Sequence, residues 1–588
     1  MQYRINDKNV ENNIYDTQQG IIETFLKNRD VSDAERYMNL TNEVTNDYHL
    51  LDNIEDAVEI FNNVYEQTGH ISILVDEDPD GYTSAAMTWL YIQKMHPGYP
   101  AICVMHKRSK AHGLTDDVEI PDDTELLIIA DAGTNDADAC KKLVDKGVKI
   151  IILDHHEKEV DNPYATIVNN QMSENYPNKD FCGAGIVYKF LQALDEYYWQ
   201  EYADDYLDLV ALGNISDVMD MRSEETRFYT DLGLLNVKNK CLDALIKAQE
   251  YSMNGKVNIH NIQWYITPIL NGCIRFGSLE EKMLLFKAFI EQDEFFEYKK
   301  KATKDKPAET IQESIYDRAA RLCKNAKARQ DKAKDKAVDE IISQIHIDEN
   351  DKVVIFDTTE IMDSSLTGVV AIKIAEHFNR PCILLQRFSA DFYGGSARNI
   401  DHSPISSFKN IANEIELLSG KGHANAFGIV GLRVEDLDEA RIRMNKLLKD
   451  VVYDSTYIVD YILDSDDVSL SFVVNMSKME DLLAQGIDEP IIAVENIHLH
   501  KNDFEIFGKN SDTISFVIND VKFIMFKCKT GNKLYDWLQD AWDEDDEITF
   551  TIVGTPGINE YNGVKTPQIT IKDVEVLENN TVEEDFEW

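Results

Sequence analysis

Three short apolar runs, each ending in an acid, limit the fold of the first half of the chain. The runs ISILV, ELLIIAD and VKIIILDHH lead into Asp76, Asp131 and Asp154. Helical patterns such as SAAMTWLYIQKM lie between them. Continuous apolar strands that alternate with helices indicate βαβ units around a buried parallel sheet. Ligands bind beyond the carboxyl ends of such strands, so these acids are placed to build one site.

The composition of the 588-residue chain limits its class. Hydrophobic residues make up 43% of it, which suits roughly three or four domains with cores of their own. The formal charge of −47 opposes general attraction to nucleic acid, so a polyanion must be met by a local basic surface or by metal ions. The eight cysteines include no CxxC pair, and no signal peptide or membrane span is recognisable. We therefore expect a reduced, cytoplasmic protein that does not enter a membrane.

Four segments are predicted along the chain. Residues 1–290 combine amino-terminal helices with the parallel-sheet domain. Residues 291–345 are charged, strand-poor and helix-favouring, which predicts a long connecting helix. A smaller α/β pattern covers residues 346–452. Residues 453–588 alternate strand-like runs such as VKFIMFK with turns, which favours a small β-barrel.

The acids at the strand ends are spaced as metal ligands. Asp78 and Asp80 are two residues apart, so in an extended segment their side chains point the same way. Asp131 ends the second run, and His155 and His156 follow the third. Carboxylates this close repel one another unless cations lie between them, and carboxylates with imidazole suit manganese or magnesium. The pattern favours a two-metal site for phosphoester hydrolysis.

A simpler interpretation exists for each acid alone. Asp followed by Gly is a turn signal, and Thr83 or Ser84 could cap the next helix. For one aspartate we would prefer that interpretation, but three acidic strand ends together reverse the preference. Asp217, in the helical segment YLDLVALGNISDVMDM, is by itself an ordinary acid at a helix end. The other acids make it one more candidate ligand.

Several motifs carry a resemblance to a known family. DEDPDG, ADAG, LDHH and GNISD resemble, in order, the four phosphoesterase motifs of the DHH superfamily. The chain is similar more specifically to the RecJ family of single-strand-specific DNA exonucleases, through HKRSKAHGL, FCGAGIVYKFLQAL and PILNGCIRFG. GGSARN and GKGHANAFG resemble signatures of the DHH-associated domain, and INEYNGVKTPQITIKDVEV resembles the end of the oligonucleotide-binding barrel. The resemblance covers about residues 20–580 and implies this domain order.

The resemblance implies a role for each motif residue. The implied metal ligands are Asp78, Asp80, Asp131, His155 and Asp217. Asp131 would bridge two divalent ions, manganese before magnesium. Asp76 would be either a ligand or an acid behind the ligands. Asp154 would orient the neighbouring imidazole, and His156 would face the scissile phosphate.

The substrate side of the site is implied in the same way. Arg398 would hold a phosphate through its planar guanidinium, while Ser396 and the glycines nearby, Gly422 among them, let the backbone approach. His423 would supply another phosphate or nucleotide contact. Arg108, Asn271 and Arg275 match polar positions around the family's cleft. For either residue alone we would prefer a simpler interpretation, with Arg398 as a surface ion-pair residue and His423 as a loop histidine.

The first functional interpretation is a metal-dependent exonuclease that degrades single-stranded DNA to mononucleotides. The 5′ to 3′ direction, the place in repair and recombination, and a helicase or single-strand-binding protein as partner come from the resemblance alone. The alternatives are a DHH phosphodiesterase of short oligonucleotides or cyclic dinucleotides, and a catalytically silent nucleic-acid-binding module of a replication complex. The long helix and the barrel argue against the former, since small substrates need neither. Retention of every ligand position argues against the latter.

Overall fold

The computed structural model describes residues 1–12, 17–107, 112–300, 302, 307–348, 350–400, 403–453, 456–508, 510–528, 530–540, 546–561 and 564–577. The chain divides into two compact units. The central unit comprises Asn46–Met219 and Tyr229–Asp454, and the terminal unit comprises Met1–Thr45, Asp220–Phe228 and Ser455–Trp588. Across the described ranges, every helix is too short or too polar to cross a membrane.

The strands in chain order are β1 (Tyr3–Ile5), β2 (Ile71–Val75), β3 (Ala101–Met105), β4 (Leu126–Ala130), β5 (Lys149–Asp154), β6 (Thr166–Asn169), β7 (Phe295–Lys300), β8 (Glu309–Ser314), β9 (Val354–Asp357), β10 (Cys382–Arg387), β11 (Phe392–Arg398), β12 (Ser419–Gly422), β13 (Ala426–Arg433), β14 (Tyr457–Val459), β15 (Tyr461–Asp464), β16 (Ile492–His500), β17 (Glu505–Phe507), β18 (Thr513–Ile518), β19 (Val521–Met525), β20 (Glu547–Tyr561) and β21 (Val564–Leu577).

The α-helices are α1 (Gln18–Lys27), α2 (Ala34–Met38), α3 (Ile54–Tyr65), α4 (Pro79–Met95), α5 (Ala137–Val144), α6 (Gly183–Tyr198), α7 (Leu207–Ser216), α8 (Glu224–Leu235), α9 (Lys240–Gln249), α10 (Ile259–Asn261), α11 (Thr267–Phe276), α12 (Leu279–Phe289), α13 (Ile315–Gln344), α14 (Thr367–Phe378), α15 (Phe408–Glu414), α16 (Leu437–Leu447), α17 (Leu470–Ser477) and α18 (Lys533–Gln539). A π-helical turn, Ile262–Ile266, joins α10 to α11.

A five-stranded parallel sheet organises the first part of the central unit. Its order is β3-β2-β4-β5-β6, and every neighbouring pair is parallel. All residues of β2 and β4 are buried, because helices cover the sheet and the strand sequences are apolar except for Ser72. The predicted parallel-sheet domain is confirmed. The carboxyl ends of β2, β4 and β5 therefore share one edge.

A smaller mixed sheet forms the second part of the central unit, with the order β12-β13-β11-β10-β9. Only the β9–β10 pair among its neighbours is parallel. The middle strand β11 carries Ser396, which lies opposite Leu384 on one side and Gly428 on the other. Arg398 ends the same strand. The predicted smaller α/β domain is thus confirmed, and it presents the GGSARN motif on its central strand.

The connecting helix is present but begins later than its predicted segment. Helix α13 starts at Ile315, and Ser314 caps it by accepting a hydrogen bond from the Asp317 amide. The expectation of a strand-poor stretch from residue 291 is wrong, because β7 and β8 pair there as an antiparallel hairpin. Phe296 lies 4.4 Å from the Arg318 guanidinium of α13, and Tyr298 lies in the same way beneath Arg321. Alternating aromatic residues that pack on α13 outweigh the helix-favouring composition.

The terminal unit is built on the seven-stranded sheet β15-β16-β20-β21-β19-β18-β17. Its strands enclose one apolar core with α17, which includes Phe472, Ile497, Phe516 and Phe550. This sheet is the predicted carboxyl-terminal barrel. The amino terminus joins it, because β1 pairs in parallel with β14. The domain boundaries at 290, 345 and 452 remain predictions. Hydrophobic periodicity in the sequence does not indicate that the amino-terminal segment packs with the barrel.

A buried ion pair holds the amino-terminal segment to the barrel. The Arg29 guanidinium donates two parallel hydrogen bonds to the Asp460 carboxylate, of 2.9 and 3.1 Å. The Asn28 amide donates a third, and the guanidinium also lies 3.7 Å from the centre of the Phe25 ring. Only 11% of the Arg29 side chain and 5% of the Asp460 side chain are exposed. The carboxylate therefore depends on these donors in place of water.

We predict that Arg29→Met destabilises the terminal unit by about 3 kcal/mol, because it removes the guanidinium and leaves a buried carboxylate behind. The measurement is the urea dependence of amide hydrogen exchange in β16, followed by mass spectrometry. Arg4→Met is the matched control, since Arg4 and Asp7 form an exposed ion pair, and it should change little. Equal effects of the two substitutions would contradict a structural role for the buried pair.

Candidate metal centre and phosphate-binding cleft

Three acids lie at the shared edge of the parallel sheet. Asp76 follows β2, Asp131 follows β4 and Asp154 ends β5. Each residue is at most 2% exposed. Asp131 has a left-handed backbone, with φ of 64°, which turns the chain sharply at the strand end. Parallel register thus brings together acids that are far apart in the sequence.

The centre of the site is a set of three atoms on three different elements. The His155 Nε2 atom lies 3.3 Å from Asp131 Oδ1 and 3.3 Å from Asp217 Oδ2. All three atoms are buried, and none has a hydrogen-bond partner in the described part of the chain. Buried polar atoms are almost always hydrogen-bonded, so three that converge without bonds call for another ligand. Two oxygens and one imidazole nitrogen fit a divalent cation.

Asp80 is fixed by the start of a helix. The first two amides of α6, from Gly183 and Ala184, donate hydrogen bonds of 2.7 and 3.0 Å to its carboxylate. A Cβ atom at Gly183 would lie 2.5 Å from the Asp131 Cβ, so glycine permits this close approach. Burial, followed by the charge of Asp78, raises the pKa of Asp80 to about 6.

The acids crowd one another strongly. Burial first, and then the neighbouring carboxylates Asp80 and Asp78, raise the pKa of Asp131 and of Asp217 well above the usual range. Among the described residues, three groups could each hold an ion, with ligand atoms within 4.8 Å of one another: Asp131, His155 and His156; Asp80, His155 and Asp217; and Asp76, Asp78 and Asp131. Asp78 and Asp80 thus fall in different groups. Cations at these positions would offset the repulsion.

Asp154 acts within the protein as an acceptor. It receives hydrogen bonds from the Thr134, His155 and His156 amides, and one of 2.7 Å from His156 Nδ1. Burial opposes the imidazolium of His156, but Asp154 outweighs it and raises the pKa to about 9. Burial, together with His156, lowers the pKa of His155 to about 3. His155 is therefore neutral, as a metal ligand must be, and His156 carries positive charge.

The smaller sheet brings a second set of polar groups to this edge. The His423 ring lies 6.4 Å from the His156 ring. Burial, followed by the nearby Arg275, lowers the pKa of Arg398 to about 10. The Ser396 hydroxyl lies 2.8 Å from the Thr367 hydroxyl. His423 of the smaller sheet therefore lies beside His156.

Helix α11 links the acidic and the basic sides. Arg275 Nη2 lies 3.5 Å from Asp78 Oδ2. The buried Arg275 Nε and Asn271 Oδ1 atoms have no hydrogen-bond partner within the described ranges. Gly422 has a left-handed φ of 117° and its carbonyl accepts a bond from Lys409, so the turn before His423 requires glycine. Arg108 lies outside the described residues.

Some functional contacts have no side-chain signature in the sequence. The Gly183 and Ala184 amides hold Asp80 through their backbone, and the Thr134 amide holds Asp154. Only the glycines of FCGAGIVYKF hint at a close approach. His112, which contacts Asp76, carries no signal of its own in the sequence, because a lone histidine in a loop is uninformative.

Comparison with known proteins gives a consistent family. Residues 70–214 match the DHH family, N-terminal domain, and residues 459–573 match the RecJ OB domain. The chain is 34% identical over 565 residues to the putative SPbeta prophage-derived single-strand DNA-specific exonuclease YorK of Bacillus subtilis strain 168, covering 94% of this chain and 96% of that protein. It is 26% identical over 548 residues to the single-stranded-DNA-specific exonuclease RecJ of the same organism, covering 89% of this chain and 64% of RecJ.

The fold agrees with this relationship. The crystal structure of RecJ in complex with Mn²⁺ from Thermus thermophilus superposes with a TM-score of 0.71 at 17% identity, covering 95% of this chain and 76% of that chain. That likeness shows the common architecture, and the 34% identity to YorK along nearly the whole chain shows the kinship. The protein belongs to the RecJ-like single-strand-specific exonucleases of the DHH superfamily.

Proposed function

We propose that the protein is a metal-dependent exonuclease that hydrolyses single-stranded DNA from its 5′ end to mononucleotides. The observation that carries the proposal is the trio of His155, Asp131 and Asp217, whose facing atoms are buried and lack hydrogen bonds among the described residues. Relatives named single-strand DNA-specific exonucleases support the substrate. A role in repair or recombination, beside a helicase or a single-strand-binding protein, belongs to the same proposal.

The acidic groups suit two divalent ions, manganese before magnesium. The proposed ligands are Asp78, Asp80, Asp131, His155 and Asp217. Asp131 would help to hold either ion, because it groups with Asp76 and Asp78 and also lies beside His155. When bound, such ions polarise the phosphate, lower the pKa of water and stabilise both the attacking and the leaving oxygen.

The chain itself positions the reacting groups. The amino-terminal amides of α6 fix Asp80, and Asp154 fixes the orientation of His156. Because Asp154 occupies Nδ1, the protonated His156 has Nε2–H left to donate to an oxygen of the scissile phosphate. Arg398 would bind a substrate phosphate with its guanidinium, and His423 would add a polar contact beside it. The barrel of the terminal unit would bind the single strand, as oligonucleotide-binding folds do.

The metal requirement is tested with Asp131→Asn. We expect this variant to lose Mn²⁺ binding in titration calorimetry and to lose hydrolysis, because it removes the charge of the shared carboxylate. Asp138→Asn is the matched control, since Asp138 is exposed on α5, and it should behave as the wild type does. A variant that still binds Mn²⁺ with wild-type stoichiometry would contradict the assignment.

The substrate class is tested by offering the Mn²⁺-loaded protein end-labelled single-stranded DNA, duplex DNA, a dinucleotide and a cyclic dinucleotide. We expect mononucleotides from the single strand and little product from the others. Hydrolysis confined to a dinucleotide or cyclic dinucleotide would support the small-substrate alternative. If the metal-loaded protein hydrolysed none of the four, the catalytically silent binding module would be the remaining interpretation.

The direction is tested with strands that carry nuclease-resistant phosphorothioate linkages at one end only. We expect resistant linkages at the 5′ end to stop mononucleotide release, and the same linkages at the 3′ end to leave the initial rate unchanged. The opposite pattern would exclude the 5′ to 3′ direction while leaving the metal chemistry untouched.

The phosphate contact is tested with Arg398→Lys. We expect KM for single-stranded DNA to rise about 10- to 100-fold, because a hydrogen bond to a charged group contributes about 1.5–3 kcal/mol and lysine cannot reproduce the planar fork. Arg387→Lys, on the adjacent strand β10 and exposed, is the control and should leave KM unchanged. Equal KM values for the two variants would exclude Arg398 as a substrate contact.

A further inference from the structure

The mechanism above leaves out one buried acid and its histidine. Asp76 Oδ2 accepts a 2.7 Å hydrogen bond from His112 Nδ1, and Asp76 Oδ1 accepts a 2.8 Å bond from the Gly113 amide. His106 Nε2 lies 3.6 Å from the same Oδ1 atom. Asp76 is 2% exposed. Donors of the protein therefore engage both oxygens of this carboxylate.

The hydrogen bonds of Asp76 distinguish it from Asp131 and Asp217, the two acids that meet His155 at the centre of the site. Asp131 and Asp217 each present one buried oxygen with no hydrogen-bond partner among the described residues, whereas Asp76 does not. Distance alone would admit Asp76 as a ligand, because one of its oxygens lies within 4.8 Å of oxygens on Asp78 and Asp131. Its two oxygens instead accept hydrogen bonds from His112 and the Gly113 amide.

The backbone just after His112 packs closely against acidic side chains. A Cβ atom at Gly81 would lie 2.6 Å from the Asp76 Cβ, so the start of α4 packs tightly on this side chain. The neighbouring Leu114 amide donates a 2.7 Å bond to Asp136. A Cβ atom at Gly113 would lie 2.2 Å from the same Asp136 carboxylate. Two carboxylates thus clamp the backbone just after His112.

His112 lies on the side of the site that carries His156 and His423, the histidines proposed to contact the substrate phosphate. Its ring centre lies 4.8 Å from that of His156, whose other neighbour is the His423 ring at 6.4 Å. The Asp76 carboxylate accepts the hydrogen bond from Nδ1 and so stabilises the protonated form of the His112 ring. The side chain is 53% exposed, which leaves it accessible to a ligand from solvent. With Nδ1 bound to Asp76, the remaining donor is Nε2–H.

We propose that His112 is a further substrate-phosphate contact and that Asp76 is its positioning residue rather than a metal ligand. His112 Nε2–H donates to a phosphate oxygen of the single strand, beside His156 and His423, so that three imidazoles cradle the anion opposite the carboxylates. This inference rests on the proposed function for the identity of the ligand. The division of roles rests on the contact of Asp76 with His112, because Asp80, a proposed ligand, also accepts hydrogen bonds at both carboxylate oxygens.

The first experiment counts bound metal, which needs no turnover. Titration calorimetry with Mn²⁺ compares Asp76→Asn with Asp78→Asn, two identical changes two residues apart. We expect Asp76→Asn to keep the wild-type stoichiometry and Asp78→Asn to lose at least one ion. Loss of an ion in Asp76→Asn would overturn the assignment. Because hydrolysis is not measured, this result stands apart from success or failure of the proposed exonuclease.

The second experiment measures the phosphate contact through the dissociation constant of a labelled single strand, with Ca²⁺ replacing Mn²⁺ to prevent turnover. We expect His112→Ala to weaken binding about tenfold, as loss of one charge-assisted hydrogen bond does. His112→Gln, which retains an N–H donor, should recover part of the loss. His70→Ala is the matched control, since His70 forms a similar half-exposed pair with Asp123 outside the site, and its binding should be unchanged.

The coupling between the two residues completes the test. If Asp76 acts only through His112, the double variant Asp76→Asn/His112→Ala binds the strand no more weakly than His112→Ala does. Additive losses would overturn the positioning role, and wild-type binding by His112→Ala would overturn the contact. Wild-type protein that binds the strand but releases no mononucleotide with Mn²⁺ would instead defeat the proposed function while these binding comparisons remain decisive.

Discussion

Mutual repulsion among buried carboxylates at one edge of the parallel sheet is the constraint on which the rest of the structure depends. Asp80, Asp131 and Asp217 are drawn into a space where burial and neighbouring charge raise their pKa values. The protein meets part of this cost with fixed dipoles, through the first amides of α6. The amides do not offset all of the repulsion. Asp131 Oδ1 and Asp217 Oδ2 lie beside His155 Nε2, and none of these atoms has a hydrogen bond among the described residues. Bound cations would offset the remaining repulsion among these carboxylates.

Hydrogen bonds to histidine distinguish two of the acids from the others. Asp154 is fully occupied by amides and by His156, and Asp76 by His112 and Gly113. Each engaged acid holds a histidine beside the metal site. In the proposed function, the negative charge of Asp154 and Asp76 would support positive charge on the imidazoles that face the substrate, while the other acids would face the ions. One strongly acidic chain can bind a polyanion in this way without a generally basic surface.

The acids at the strand ends could be predicted from the sequence, because a buried parallel strand is recognisable as a short apolar run. Apolar runs ending at Asp131 and Asp154 required the acids to meet, and motif resemblance identified Asp217 on a separate helix. Contacts made by the backbone were not predictable, since the Gly183 amide carries no side-chain signal. Neither was the pairing of Arg29 with Asp460, which joins residues more than four hundred positions apart. The β7–β8 hairpin was missed because its lysines and glutamates favour a helix until aromatic packing on α13 is known.

The most direct test of the central claim is anomalous X-ray diffraction from crystals of the protein grown with Mn²⁺. The account predicts anomalous peaks within bonding distance of Asp131, His155 and Asp217, with Asp78 and Asp80 completing the coordination. It also predicts that Asp154 and Asp76 keep their hydrogen bonds to histidine and contact no ion. Absence of a peak beside the His155 imidazole, or a peak coordinated by Asp154 in its place, would contradict the account.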